Sequence, residues 1–265
     1  MISLFNRGCP AWLPCFIFTV FCTFSFAQNQ NLQQADFYYA KRAENSKDNF
    51  AKEKNITEAI KFYKLAIQDA NVREEAAWKL LRAYYFKGCF TAPDPKERYK
   101  IFEKAKNEGK SFFHEFPNNP EVSYWYSVDL ALWANSVNPF TALNAGAVKE
   151  SRGIAQMLIA TEKKGDSISA ARGYQILGRA HQKIPRIAFV LNWINRDSSE
   201  VYLKKSLSLN SGDLATHLFL AEYYKDKKDK DTAEKLLLPF LKKYPRPEEY
   251  LEDERNYIKM RKLLE

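Results

Sequence analysis

Past residue 22 the chain holds a single cysteine, Cys89; Cys9, Cys15 and Cys22 crowd its beginning. One cysteine closes no internal disulfide, so residues 28–265 must fold by packing alone, whatever the redox state of their compartment. Cys89 falls in Gly88-Cys89-Phe90-Thr91-Ala92-Pro93, read as a turn after a helix, where the expected role is a small buried filler rather than a reactive thiol. Histidine is equally sparse. His114, His181 and His217 are scattered, with no second cysteine or spaced carboxylate pair beside them, so no metal and no cofactor are expected. The chain lacks a Gly-rich phosphate loop, a Gly-x-Ser-x-Gly elbow and a cysteine set against a histidine, and no enzyme is expected, although a carboxylate pair stays open. Nor is there a charged arm of one sign. The net charge is +9, and removing Arg7 leaves 40 basic against 32 acidic residues, or +8. Lysine and glutamate interleave, as in Lys52-Glu53-Lys54, and the densest run, Lys225 to Asp231, reads as a solvated turn. Nucleic acid is not an expected partner.

What is present begins with Arg7, followed by an apolar stretch from Ala11 to Ala27 that ends in Ser25-Phe26-Ala27 and turns polar at Gln28. This succession of charged, apolar and small residues is that of a secretory signal, with cleavage expected after Ala27. The alternative is an uncleaved anchor, but the run is short against the roughly 20 residues a span needs, and Pro14 interrupts it. No small residue directly precedes Cys15 or Cys22, which disfavours a lipoprotein signal. The expected organisation is therefore a signal peptide, 1–27, and one exported domain, 28–265, periplasmic or secreted, with no integral membrane span after cleavage.

Near the C-terminus His217, Leu220, Ala221, Tyr224, Ala233, Leu237, Phe240 and Pro245 recur at the offsets of one helical repeat. That pattern resembles the tetratricopeptide repeat, a helix–turn–helix unit of about 34 residues whose large and small side chains interlock. Tyr174, Leu177 and Gly178 match a first helix, with Gly178 admitting a close partner; Ser199, Leu203, Ser206 and Leu207 match its delayed second helix. Ala59, Tyr63 and Ala66 match a second helix near the start, with Thr57 as its cap. Trp78, Leu81 and Tyr85 open the next unit, and Phe102 and Ala105 close it. A less regular unit runs through Tyr124, Trp125 and Trp133, and Ala35 to Ala51 is expected as the first helix of the stack. The helix from Glu248 to Leu264 caps it, with Leu251, Tyr257 and Met260 inward and Glu252, Asp253, Arg255 and Lys259 outward. Pro239 is expected to kink or restart the last repeat's second helix. The resemblance implies an all-α, right-handed α-solenoid of tetratricopeptide-like helix pairs with a C-terminal capping helix.

A narrower resemblance rests on Leu177 to Pro185, the insertion after it, Leu207-Ser208-Leu209-Asn210, Thr216 to Tyr224, and Lys262-Leu263-Leu264. These segments look like exported tetratricopeptide proteins of the TatT type, the T-components associated with TRAP solute transporters. Members of that group are typically lipoproteins, a feature this sequence does not share. The resemblance implies an accessory protein binding a hydrophobic or organic-anion ligand for a transporter.

Two features point to a site. Arg172, Gln175, Arg179 and Gln182 recur at three- and four-residue steps and share a helix face. In the repeat alignment Arg172 and Arg179 face the concave groove, where two guanidinium groups can hold a partner's carboxylate. Glu222 on the next repeat belongs to the same groove and equally can pair with them internally. The second feature is the insertion from Ile184 to Asp197, whose Ile187, Phe189, Leu191, Trp193 and Ile194 are too apolar for a bare loop. It either folds back as extra core or lines a contact for a ligand or partner. Asn138 to Ala147 is harder to place and is read as a cover over an opening. The expected function is a non-catalytic envelope scaffold that binds a protein or peptide, with a small hydrophobic ligand as the alternative.

Overall fold

A computed structural model describes residues 30–186, 191–243 and 245–265; the expected signal peptide lies outside them. Every packed element is helical. The order is α1 (30–40), then α2 (Glu53–Ala66), α3 (Arg73–Phe90), α4 (Pro95–Glu115), α5 (Pro120–Ser136), the short α6 (Pro139–Asn144), α7 (Ala147–Ala160), α8 (Ser167–Lys183), α9 (Arg196–Leu209), α10 (Leu214–Asp226), α11 (Lys230–Leu241) and α12 (Tyr250–Leu264).

Side-chain caps start most of these helices. The Asp94, Asn119 and Asn138 side chains accept the first free N–H groups of α4, α5 and α6, each ahead of a proline that needs no partner there. Asp166, Asn195, Asp213 and Asp229 do the same for α8, α9, α10 and α11. Two expectations of local structure are corrected. α2 begins four residues before Thr57, whose hydroxyl instead donates to Glu53 inside the helix. The opening helix ends at residue 40 rather than at Ala51, because Asn45, Asp48 and Asn49 take left-handed backbone angles that a helix cannot contain. α11 runs through Pro239 without a restart and stops two residues later. The proline sits in the last turn, where little helix remains to be broken.

Consecutive helices pack against each other from α2 onward, as in a solenoid. The first helices of successive pairs also touch: α3 meets α5, α5 meets α8, α8 meets α10, and α10 meets α12. They form one layer, which the repeat resemblance would make the inner one. Small residues set the spacing both within and between pairs. A Cβ on Gly178 would stand 2.6 Å from Leu203 Cγ of α9, and one on Gly173 would stand 2.6 Å from the Ala155 carbonyl oxygen of α7.

The core falls into two clusters. The larger runs from Leu32 and Tyr39 through Phe86, Tyr126 and Trp133 to Leu158, and it includes Leu251 of α12. The smaller joins Leu218, Leu237 and Phe240 to Tyr257 and Met260, also of α12. The last helix thus belongs to both. Three of its residues expected to face outward, Glu252, Asp253 and Arg255, are turned in. Asp253 is buried and takes the Arg246 guanidinium at 2.7 Å and 2.9 Å. Glu252 accepts from Arg42 Nη2 at 2.8 Å, across 210 residues of sequence.

Candidate functional site

α12 brings the two ends of the inner layer together. Arg255 donates from Nη1 to the Cys89 carbonyl at 2.6 Å and from Nη2 to that of Asn49 at 3.1 Å, and lies 3.8 Å over the Phe90 ring. Arg42 holds Glu252 and the Glu248 carbonyl. The helix that caps the stack on α10 and α11 therefore also reaches Arg42, Asn49 and Cys89 near its beginning.

The predicted polar stripe is brought together as one network. Arg179 Nη1 donates to Glu222 Oε2 at 2.6 Å and to Gln182 Oε1 at 2.7 Å, with its guanidinium 4.0 Å over the Phe219 ring. Lys183 adds a second cation to Glu222 at 3.0 Å. The Glu222 carboxyl is lowered although burial alone would raise it, because the Arg179 and Lys183 cations outweigh the loss of hydration. Gln182 is buried and donates to the Phe219 carbonyl. Gln175 is buried too, donating to Asp213 Oδ2 at 2.6 Å and Thr216 Oγ1 at 2.8 Å. Arg172 pairs with Glu121 and lies 4.3 Å over Tyr124. Both guanidinium groups of the stripe thus hold a carboxylate from a neighbouring helix.

Arg82 does not. It projects from α3 between two rings, 4.1 Å from the centroid of Tyr39 and 5.0 Å from that of Trp78. Its Nε is buried with no hydrogen-bond partner among the described residues. One turn of helix separates Trp78 from Arg82, so the indole and the guanidinium share a face of α3. The fields of Arg82, Arg42, Glu249 and Glu252 all meet at the Tyr39 phenol, whose pKa is raised by burial with the two arginines opposing. Glu252 Oε2 is likewise buried without a partner. At the junction of α1, α3 and α12 the Arg82 guanidinium thus lies between two aromatic rings with its Nε unpartnered among the described residues. In the sequence Trp78 marks the first helix of a repeat unit and Arg82 goes unread; a Trp and an Arg four apart on one helix was the available signal.

The described half of the insertion is closed down. Leu191 and Ile194 are buried, and Trp193 meets His181 edge to face at 5.2 Å with the Arg152 guanidinium 4.6 Å over its ring. The Asn195 N–H donates to His181 Nδ1 at 2.9 Å. Ile187 and Phe189 lie outside the described residues. Asn138 to Ala147 contains α6, and its Phe140 is 72% exposed.

Cys89 stands in the last turn of α3, and burial pushes its thiol up to about 12. Among the described residues no group of three or more His, Cys, Asp or Glu side chains is arranged to hold a metal ion. No helix among them is long and apolar enough to cross a membrane. Compared with known proteins, the chain matches no family model and no curated relative.

Proposed function

We propose that this chain is an exported, non-catalytic scaffold of tetratricopeptide-like helix pairs that binds a partner protein or peptide in the cell envelope through its inner face. The observation that carries the reading is Arg82: a guanidinium fixed between two aromatic rings on an inner helix, with no carboxylate of its own among the described residues. A flat cation held this way has little side-chain entropy left to lose and offers a forked donor to a carboxylate. The apolar stretch Ala11–Ala27 and its flanks support export. Arg172 and Arg179, neutralised by Glu121 and Glu222, serve on this reading as joints between helix pairs, with Arg82 as the anchor.

Binding of partner peptides to Arg82→Glu and Arg179→Glu variants, followed by Trp78-sensitive fluorescence, tests the assignment. Arg82→Glu should weaken binding at least about 100-fold, the scale of losing a charge-assisted pair and adding repulsion. Arg179→Glu should lower stability and leave affinity within about tenfold, as expected for a partly exposed structural pair. Equal losses in both would return the anchor to the predicted stripe. Binding of free organic acids instead of peptides would favour the transporter-accessory reading.

A further inference from the structure

The far end of the stack carries a surface that the inner-face reading leaves unused. α1 and α2 bury one side each: Leu32, Ala35 and Tyr39 on α1, and Ile56, Ala59, Ile60 and Tyr63 on α2. Their opposite sides are not uniformly polar. Phe37 is 50% exposed and Leu65 is 46% exposed. Between them the Phe37, Tyr38 and Phe62 rings form a continuous strip, edge to face at 5.5 Å and then stacked at 5.7 Å. Lys41 extends over Phe37 at 4.3 Å and Lys61 over Phe62 at 5.5 Å. By helical spacing Lys54, Glu58, Lys61 and Leu65 make one outward stripe of α2, while Phe37 stands on α1 and Lys41 in the turn just past its end. Glu58 answers only Lys61, at 3.2 Å. The face thus presents the exposed Phe37 ring beside half-buried Tyr38 and Phe62, with lysines at its rim.

We infer that this end face docks on an anionic phospholipid surface. Aromatic rings flanked by lysines suit the boundary between headgroups and acyl chains, where the ring is buried and the ammonium meets phosphate. Charge decides between a bilayer and a second copy of the chain. Two such faces set together would oppose Lys41, Lys54 and Lys61 to one another with Glu58 as the only acid among these outward positions, whereas anionic headgroups answer all three lysines.

The inference takes its envelope location from the proposed function but not its inner-face site, and the test separates the two. Full chains carrying Phe37→Trp or Phe140→Trp are mixed with phosphatidylglycerol vesicles containing brominated phosphatidylcholine, and the added indole emission is compared with that of the parent chain. Phe140 is the more exposed position and stands on α6, away from this face. The Phe37→Trp increment should be roughly halved by the brominated lipid and the Phe140→Trp increment left intact. Combining Phe37→Trp with Lys41→Glu, Lys54→Glu and Lys61→Glu should abolish the difference, and adding Arg82→Glu should not change it. Equal response of the two probes overturns the inference. So does a Phe37→Trp emission that changes with protein concentration but not with vesicles, which would assign the face to self-association.

Discussion

Asp129 is the residue most at odds with its surroundings. It is fully buried on α5, neither carboxyl oxygen has a partner among the described residues, and burial raises its pKa well above the ordinary carboxylate range. Trp125 and Trp133, one turn to either side, also carry buried, unpartnered indole nitrogens. The folded state keeps Asp129 protonated while the unfolded chain ionises it above about pH 4, so stability is lost as pH rises through that window. Asp129→Asn should therefore stabilise the protein by about 1–3 kcal/mol at pH 7.5 and by little at pH 4, measured by urea unfolding at both. The histidines act in the opposite direction. Burial lowers both His181 and His217, with Arg152 adding to the effect at His181. The unfolded chain then binds more protons below about pH 6.5, and stability falls as pH drops from there. Protonating His181 Nδ1 would also oppose the Asn195 N–H it accepts. Trp193, packed on the same ring, should report the change, with its emission shifting between pH 7.5 and 5.5 in the parent and not in His181→Phe. In the sequence Asp129 goes unread, although it is the one charge in the otherwise uncharged run from Val122 to Trp133 of α5.

At the scale of the element, large–small complementarity was the legible signal. Gly178 was read as the residue that admits a close partner, and Leu203 of the expected second helix is the side chain it admits. Ser199, Leu203 and Ser206 are buried on α9 as their spacing requires. Gly173 went unread because its partner is backbone, the Ala155 carbonyl of α7, which leaves no mark in residue identity. The two glycines should differ accordingly. Gly178→Ala presses on a branched side chain that can yield and should cost about 1–3 kcal/mol; Gly173→Ala presses on backbone and should cost more. Thermal unfolding of the two variants measures the order, and the reverse order would mean that the α7–α8 contact is looser than its geometry. The boundaries misread were those set by turns. Left-handed Asn45, Asp48 and Asn49 stop the opening helix early, and asparagine enters that conformation too variably for spacing alone to place it.

For the whole molecule, helical periodicity gave the all-α stack and its terminal helix, but not where that helix would lie. Its outward charges were read as solvated, since a cap needs only to shield one apolar face. Arg42–Glu252 and the two carbonyls held by Arg255 join residues 166 to 210 positions apart, a separation at which sequence pattern carries no pairing information. On the proposed function, α12 and a bound partner share one face, with Arg82 beside them as the donor without a carboxylate among the described residues. Native mass spectrometry of the chain purified gently from the envelope, alongside Arg82→Glu, tests this most directly. The account predicts a second polypeptide bound to the parent chain and missing from the variant. A partner retained equally by both, or a small ligand of a few hundred daltons in its place, would contradict it.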